Sequence, residues 1–236
     1  MANPLPITLL EDTVLPASGG GSAVDVGALR QVANVRLDVV ALSGSLTVHI
    51  ETSARSDGPW SHVTQRAMTT PGVYDITAGP LQRYVRARWA LGSGSTATLG
   101  VTGTAHVIYC VPEDIYRFSV RRPALEDIDQ EEQLIACIAA TDRAAGYVNN
   151  AYRLPLKAWG DDLRSAAACL AGAQLLAARG VDPEGPDALV FDREAKALDW
   201  LSRLANGRLS PPGMIDQTPE TFEGGSVVVS RPKRGW

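Results

Sequence analysis

The chain has 236 residues, 45% hydrophobic and 20% charged, which suits one large or two ordinary packed domains and excludes wholesale disorder. The formal net charge is −4. Residues 1–110 carry seven Arg, no Lys and seven acids, while residues 111–236 carry 15 bases and 19 acids, so neither half has the basic excess of a free-standing nucleic-acid binder.

The opening segment, MANPLPITLLEDTV, has no basic stretch and only two adjacent leucines before Glu11, so it does not read as a signal peptide. Gly19-Gly20-Gly21-Ser22 reads as a loop. From there to residue 110 the polarity period is two. Val35, Leu37 and Val39 alternate with Arg36 and Asp38; Leu46, Val48 and Ile50 alternate with Thr47, His49 and Glu51. Val85, Ala87, Trp89 and Leu91 oppose Tyr84, Arg86 and Arg88, and Leu99, Val101, Ala105 and Val107 oppose Thr98, Thr102, Thr104 and His106. Such strands bury one face and wet the other, as in antiparallel sheets. Turn chemistry separates them at Ser43-Gly44, Asp57-Gly58-Pro59, Pro71-Gly72, Ala78-Gly79-Pro80 and Gly92-Ser93-Gly94. Residues 1–110 are therefore expected to form a β-sandwich of seven or eight strands. The run from Trp89 to Pro112 lacks charge but is broken by four Gly and four Thr, so it is no membrane helix, and a soluble intracellular chain is expected.

After Cys110 the period becomes helical. Pro112-Glu113-Asp114 opens a short helix with acids in its first turn. The main helix is predicted over Asp129–Arg153, with Leu134, Ile135, Ile138, Ala145, Val148 and Tyr152 inward and Pro155 stopping it. A second runs from Asp161 to Arg179, capped by Gly180, with Ala166, Ala167, Leu170, Ala173 and Ala177 forming a face that another helix can approach closely. A third runs from Pro186 or Asp187 to Ala205, with Leu198, Leu201 and Leu204 inward, and ends at Asn206-Gly207. The fold class is thus α+β with two domains: a β-sandwich (1–110), a small helical bundle (111–207) and an extended C-terminal arm (208–236). The arm holds one strand-like run, Val227-Val228-Val229, followed by Arg231, Lys233, Arg234 and Trp236. An isolated strand is marginal, so it either folds back or adds to a neighbour's sheet, the alternative being a disordered tail.

Chemistry is sparse. Gly92-Ser93-Gly94-Ser95-Thr96-Ala97 fits a dinucleotide fingerprint on paper, but a strand rather than a helix follows it, so it reads as a hairpin turn. His49, His62 and His106 all lie in the β half, with His49 and His106 expected as exposed imidazoles on polar strand faces; two or three could meet across a sheet and hold a metal, but no spacing demands it. Cys110, Cys137 and Cys169 are widely spaced and read as reduced, buried thiols. Acid pairs Glu131-Glu132 and Asp161-Asp162 sit at helix starts, where capping accounts for them. No catalytic, cofactor or metal residue is assigned. On the main helix, Asp142, Arg143, Asn149, Asn150 and Arg153 flank the apolar stripe as either a solvated face or a subunit contact.

Residues 111–236 resemble phage head–tail connector or adaptor proteins of the Mu gp36-like group, in five landmarks that occur in order. Val111-Pro112-Glu113-Asp114-Ile115 is similar to that family's "ATPEDL" opening, and Ile138 to Val148 to its A-x-x-x-I-D-x-Y helix. Ala151-Tyr152-Arg153-Leu154-Pro155-Leu156 is similar to its "RYxLPL" exit, the most specific piece. Trp200 to Arg208 is similar to "WLxxIAxGK", and Val229-Ser230-Arg231 through Gly235-Trp236 to a terminal "fSR…GF". The family's Ile-Asp pair is absent: Asp142-Arg143-Ala144-Ala145-Gly146 precedes the aromatic instead. Members of that group begin near the helical opening, so residues 1–110 are an addition, similar to β modules appended to virion proteins in Trp60 after Asp57-Gly58 and in Arg83-Tyr84-Val85-Arg86.

The resemblance implies a non-enzymatic virion protein made in the host bacterial cytoplasm and placed at the neck. It implies a homo-oligomeric ring of about twelve copies, with the heterologous interfaces a cyclic ring needs. Its partners would be the portal protein on one side and a tail terminator, stopper or tail-tube protein on the other, with double-stranded DNA passing through non-specifically and no membrane contact. The residues expected at subunit or portal contacts are Arg143, Asn149, Tyr152 and Arg153, and on the arm Val227, Val228, Val229, Arg231, Lys233, Arg234 and Trp236. The alternative is a capsid-decorating or carbohydrate-binding β-sandwich, with Trp60, Tyr84 and Trp89 as sugar platforms.

Overall fold

The computed structural model describes residues 4–180 and 187–216. Alternation in the first half produces nine strands among these residues: β1 (Leu5–Leu15), β2 (Gly19–Gly20), β3 (Val24–Asp25), β4 (Arg30–Ser43), β5 (Leu46–Ser53), β6 (Ser61–Met68), β7 (Gly72–Ala78), β8 (Tyr84–Leu91) and β9 (Thr96–Val107). They form two antiparallel sheets, one ordered β1-β9-β4-β7 and one ordered β2-β8-β5-β6 with β3 also on β8. The inward residues of both sheets, among them Leu37, Val101, Ile50 and Val85, share a single apolar core, which makes the pair a sandwich.

Three expectations for this half are corrected, the first being the strand count, nine rather than seven or eight, because β2 and β3 are two-residue strands. Gly19-Gly20 is a short strand against Trp89 and Arg88, not a loop, because without side chains the backbone can lie on the indole: a Cβ at Gly19 would come within 3.1 Å of the Trp89 ring. The Gly92–Ser95 turn is not a hairpin, since β8 and β9 belong to different sheets and the turn makes a corner between them. That corner is stapled to the β4–β5 corner by Gly92 N–H on Ser45 O (2.9 Å) and Ser45 N–H on Ser95 Oγ (3.0 Å).

The second half comprises α1 (Pro112–Phe118), a 3-10 turn (Arg122–Leu125), α2 (Gln130–Val148), α3 (Asp161–Arg179) and α4 (Ala188–Ala205). The Asp114 carboxylate starts α1 by accepting from Val111 N–H (3.0 Å), and Asp129 starts α2 by accepting from Glu132 N–H (2.8 Å). α3 is buried without a break from Ala166 to Ala173 and forms the axis around which the other helices pack. Its small residues therefore serve the chain's own bundle rather than a foreign helix, and Ala177 is exposed.

α2 ends at Val148, five residues before the expected Arg153. Asn149 caps it, and Tyr152 N–H returns to Val148 O in a tight turn. Ile135, expected inward, is 47% exposed. The true inward surface of α2 is double: Leu134 meets Val32 and Ile108 of the β half, while Ala136, Cys137, Ala140, Ala144 and Val148 face the bundle. The beginning of the arm folds back, Ile215 pairing with Ala158 through Ile215 N–H on Ala158 O (3.0 Å) and Lys157 N–H on Ile215 O (2.8 Å).

Candidate interaction surfaces

Four of the expected contact residues lie on α2 and its exit. Arg143 is tied to α4 through Glu194 (2.8 Å). Asn149 and Arg153 are exposed, and Tyr152 is half-buried against the helical core. Arg153 N–H donates to the Asp216 carboxylate (3.3 Å), so the exit turn and the start of the arm form one surface. Arg143 is thus already engaged within the chain, whereas Asn149, Tyr152 and Arg153 cluster on the exit turn. Val227, Val228, Val229, Arg231, Lys233, Arg234 and Trp236 lie outside the described residues.

The seam between the two halves is built from Tyr109, Thr141 and Trp159, which sequence reasoning did not single out, and from Glu131, which was expected only to cap its helix and instead reaches the β half. Thr141 Oγ1, in the middle of α2, accepts from Tyr109 N–H (2.9 Å) and is almost fully buried. Tyr109 O accepts from Trp159 Nε1 (3.2 Å), and the two rings meet edge to face at 5.2 Å. Glu131 Oε1 accepts from Thr77 N–H (2.7 Å) at the end of β7. A hydroxyl placed among apolar helix positions was the one available signal, since a buried threonine needs a partner. Beside the seam, an open groove of about 680 Å³ runs between the outer face of the first sheet and α2. Thr8, Asn34, Arg36, Asp75, Glu131 and Ile135 line it, a mixed polar and apolar set.

The outer face of the second sheet gathers charge. Glu51 accepts from Arg86 (2.9 Å) and Arg88 (2.8 Å), and the Arg86 guanidinium lies 4.3 Å from the Trp60 ring centre. Burial opposes ionisation of Glu51, but the two arginines outweigh it and hold its carboxyl below the usual range. His49 and His62 meet edge to face at 5.6 Å. His49 and His106 are not the exposed imidazoles expected: both are half-buried with one ring nitrogen shielded and unpartnered, and burial lowers both pKa values. Among the described residues no three His, Cys, Asp or Glu converge on a metal position. The three cysteines are buried and unbridged, with the neighbouring Cys137 thiol and then burial raising the Cys110 thiol.

The aromatic platforms of the sugar-binding alternative are occupied on at least one side. Arg86 covers Trp60, Arg83 lies 5.3 Å from the Tyr84 ring centre, and Trp89 packs on Gly19 with its indole N–H on Ala17 O (3.0 Å).

Comparison with known proteins bears on the helical half. Residues 109–230 match the family model described as Bacteriophage Mu, Gp36, a span of more than half the chain. This chain belongs to the bacteriophage Mu Gp36 family. The Gp36 match starts at Tyr109, the residue whose N–H and C=O are both held by the helical half, and it includes Val227–Val229 but not Arg231 onward. No curated protein matches the chain in sequence. Among solved structures, the SPBc2 prophage-derived protein YomS is 11% identical, with 44% of this chain and 96% of YomS covered and a TM-score of 0.34. The disulfide-linked pili of Bacillus endospore appendages give 11% identity, 44% and 88% coverage and 0.32; a cellulose-specific carbohydrate-binding module, CBM28, gives 14%, 44% and 73%, and 0.26. None of the three is similar enough to lend this Gp36 family member a role. Among its described residues no helix is long and apolar enough to cross a membrane.

Proposed function

We propose that this protein is a structural virion component, a head-to-tail adaptor that forms a closed ring of about twelve copies at the neck. The ring sits between the portal and a tail terminator, stopper or tail-tube protein, and double-stranded DNA passes through its lumen. The observation that carries this reading is the Gp36 family match, which spans the whole helical bundle and most of the arm. The bundle suits the role. It is braced around the buried middle of α3 and keyed to the β-sandwich through Glu131, Leu134 and Thr141, so load applied to one half is transmitted to the other. The acidic balance of residues 111–236 suits a lumen that must not grip phosphate, since phosphate contacts come from Lys and Arg.

Stoichiometric binding to DNA-filled, tailless capsids tests the proposal, with portal-less capsids as the control. Uptake at one vertex, near twelve copies per portal, is the expected result. Binding spread over the shell would replace the adaptor with a decoration protein led by its β-sandwich, and no binding to either capsid would overturn the reading.

A further inference from the structure

The first sheet ends on β7, and β7 differs from the other edge strands. The β1–β9 ladder breaks twice, between Thr8 and Leu10 and between Leu10 and Thr13. The β5–β6 ladder breaks once, and β2 and β3 are two residues long. β7 pairs with β4 without interruption from Gly72 to Ala78. Short or broken edges resist foreign strands, whereas a long regular edge invites them.

One hydrogen bond fixes which backbone groups of β7 face outward. Thr77 N–H points away from β4, because it donates to Glu131. In an antiparallel strand the N–H and C=O of a residue point the same way and alternate residues point oppositely, so Val73 and Asp75 also direct theirs off the edge. Glu131 closes the Thr77 end, and no described strand pairs with the remainder. Val73 (48%) and Val40 (60%) expose apolar surface beside it.

We infer that the Val73–Asp75 edge of β7 takes Val227–Val229 of a second copy of this chain as an added strand. The segment Ser226-Val227-Val228-Val229-Ser230 has the β-branched composition of a strand and matches the open stretch in length. The eleven steps from Asp216 to Val227 span at most about 40 Å when extended, enough to leave the parent subunit. Charge sets the direction. Parallel addition carries Arg231, Lys233 and Arg234 past Thr77 towards Asp129 and Glu132, both exposed on the first turn of α2. Antiparallel addition would carry them towards Arg66, which lies over the Tyr74 ring at the other end of the edge. Val228 therefore stands opposite Asp75, and Ser226 opposite Val73. The inference rests on the ring reading only in requiring that copies meet.

Mixing full-length Asp75→Cys and Val228→Cys chains under mild oxidation tests it; the native cysteines are buried and do not compete. The expected product is a mixed disulfide between the two variants in the assembled protein. A disulfide found only within single chains of the double variant overturns the second-copy assignment, and assembly with no crosslink overturns the edge assignment. Val73→Cys crosslinking to Ser226→Cys supports the parallel direction, and crosslinking to Ser230→Cys overturns it. Asp75→Pro removes an edge N–H without touching the β4 ladder, so a variant that keeps its circular dichroism should lose assembly, and normal assembly counts against the inference. Rings that bind portals yet never crosslink defeat this inference alone, while crosslinked oligomers that ignore portals defeat the adaptor reading alone.

Discussion

Glu131, in the first turn of α2, holds the backbone N–H of Thr77 at 2.7 Å, and by doing so joins the helical half to the last strand of a sheet 54 residues earlier. A hydrogen bond to a charged group contributes more than a neutral one, and its loss leaves a shielded N–H without a partner. Glu131→Ala is expected to destabilise the protein by about 1–2 kcal/mol, and Glu131→Gln by less. Because Val32, Ile108 and Leu134 share one apolar cluster across the seam, helical circular dichroism and tryptophan fluorescence should shift together during unfolding. Separate transitions for the two probes would show that the halves are not coupled.

How far this architecture could be read beforehand depended on the range of the interactions. The strands and helices declared themselves through period, as in Val35–Val39 and Leu198–Leu204, because alternation and the 3.6 repeat are local. Pro155 is the visible stop signal after α2, but the helix ends earlier, at its Asn149 cap. The spacing of three and four places Ile135 on the inward stripe, but the buried surface of α2 is turned from it and is made mostly of alanines and Cys137. The seam residues Glu131 and Thr141 find their partners 54 and 32 positions away, and no local pattern points that far. The contact of Arg86 with Trp60 is likewise non-local.

Acid should weaken the fold before carboxylates begin to protonate. His106 is lowered from its ordinary 6.5 chiefly by burial, with Asp142 opposing, and His49 is lowered by burial, then by Arg88 and His62, with Glu51 opposing. A depressed histidine pKa means that the unfolded chain takes up the proton first. Stability is therefore full above 6.5 and falls as the pH drops from there through the folded-state values. Each histidine can contribute a slope of at most about 1.4 kcal/mol per pH unit. Below about 4.5, loss of the Glu51 pairing with Arg86 and Arg88 adds in the same direction. Thermal midpoints measured from pH 7.5 to 5 should fall for the native chain and fall less for His106→Gln; equal slopes would refute the assignment.

Tyr109 is 1% exposed, and its hydroxyl finds no hydrogen-bond partner although its backbone N–H and C=O are both used. An unpartnered buried hydroxyl is a cost, which phenylalanine would remove while keeping the edge-to-face contact with Trp159. Tyr109→Phe should leave the unfolding midpoint unchanged or raise stability by about 1 kcal/mol. A loss of that size would reveal a partner for the hydroxyl in solution, such as a bound water.

Two helical glycines should respond to alanine in opposite senses. Alanine is better than glycine inside a helix by about 0.8–1.0 kcal/mol wherever the methyl group has room. At Gly146 on α2, a Cβ would meet nothing within 4 Å, so Gly146→Ala should stabilise the isolated subunit by roughly that amount. At Gly172 on α3, a Cβ would fall 2.3 Å from Ser119 Oγ and 2.8 Å from both Ser119 Cβ and Val120 Cγ2. Rotation of Ser119 can clear the hydroxyl but not its Cβ, so α3 and the end of α1 must separate. Overpacking of this kind typically costs about 1–3 kcal/mol, which exceeds the propensity gain, and Gly172→Ala should be net destabilising. Denaturant midpoints of the two variants measured side by side decide the matter: a Gly172→Ala protein as stable as Gly146→Ala would mean that α3 does not press on Ser119 as closely as described.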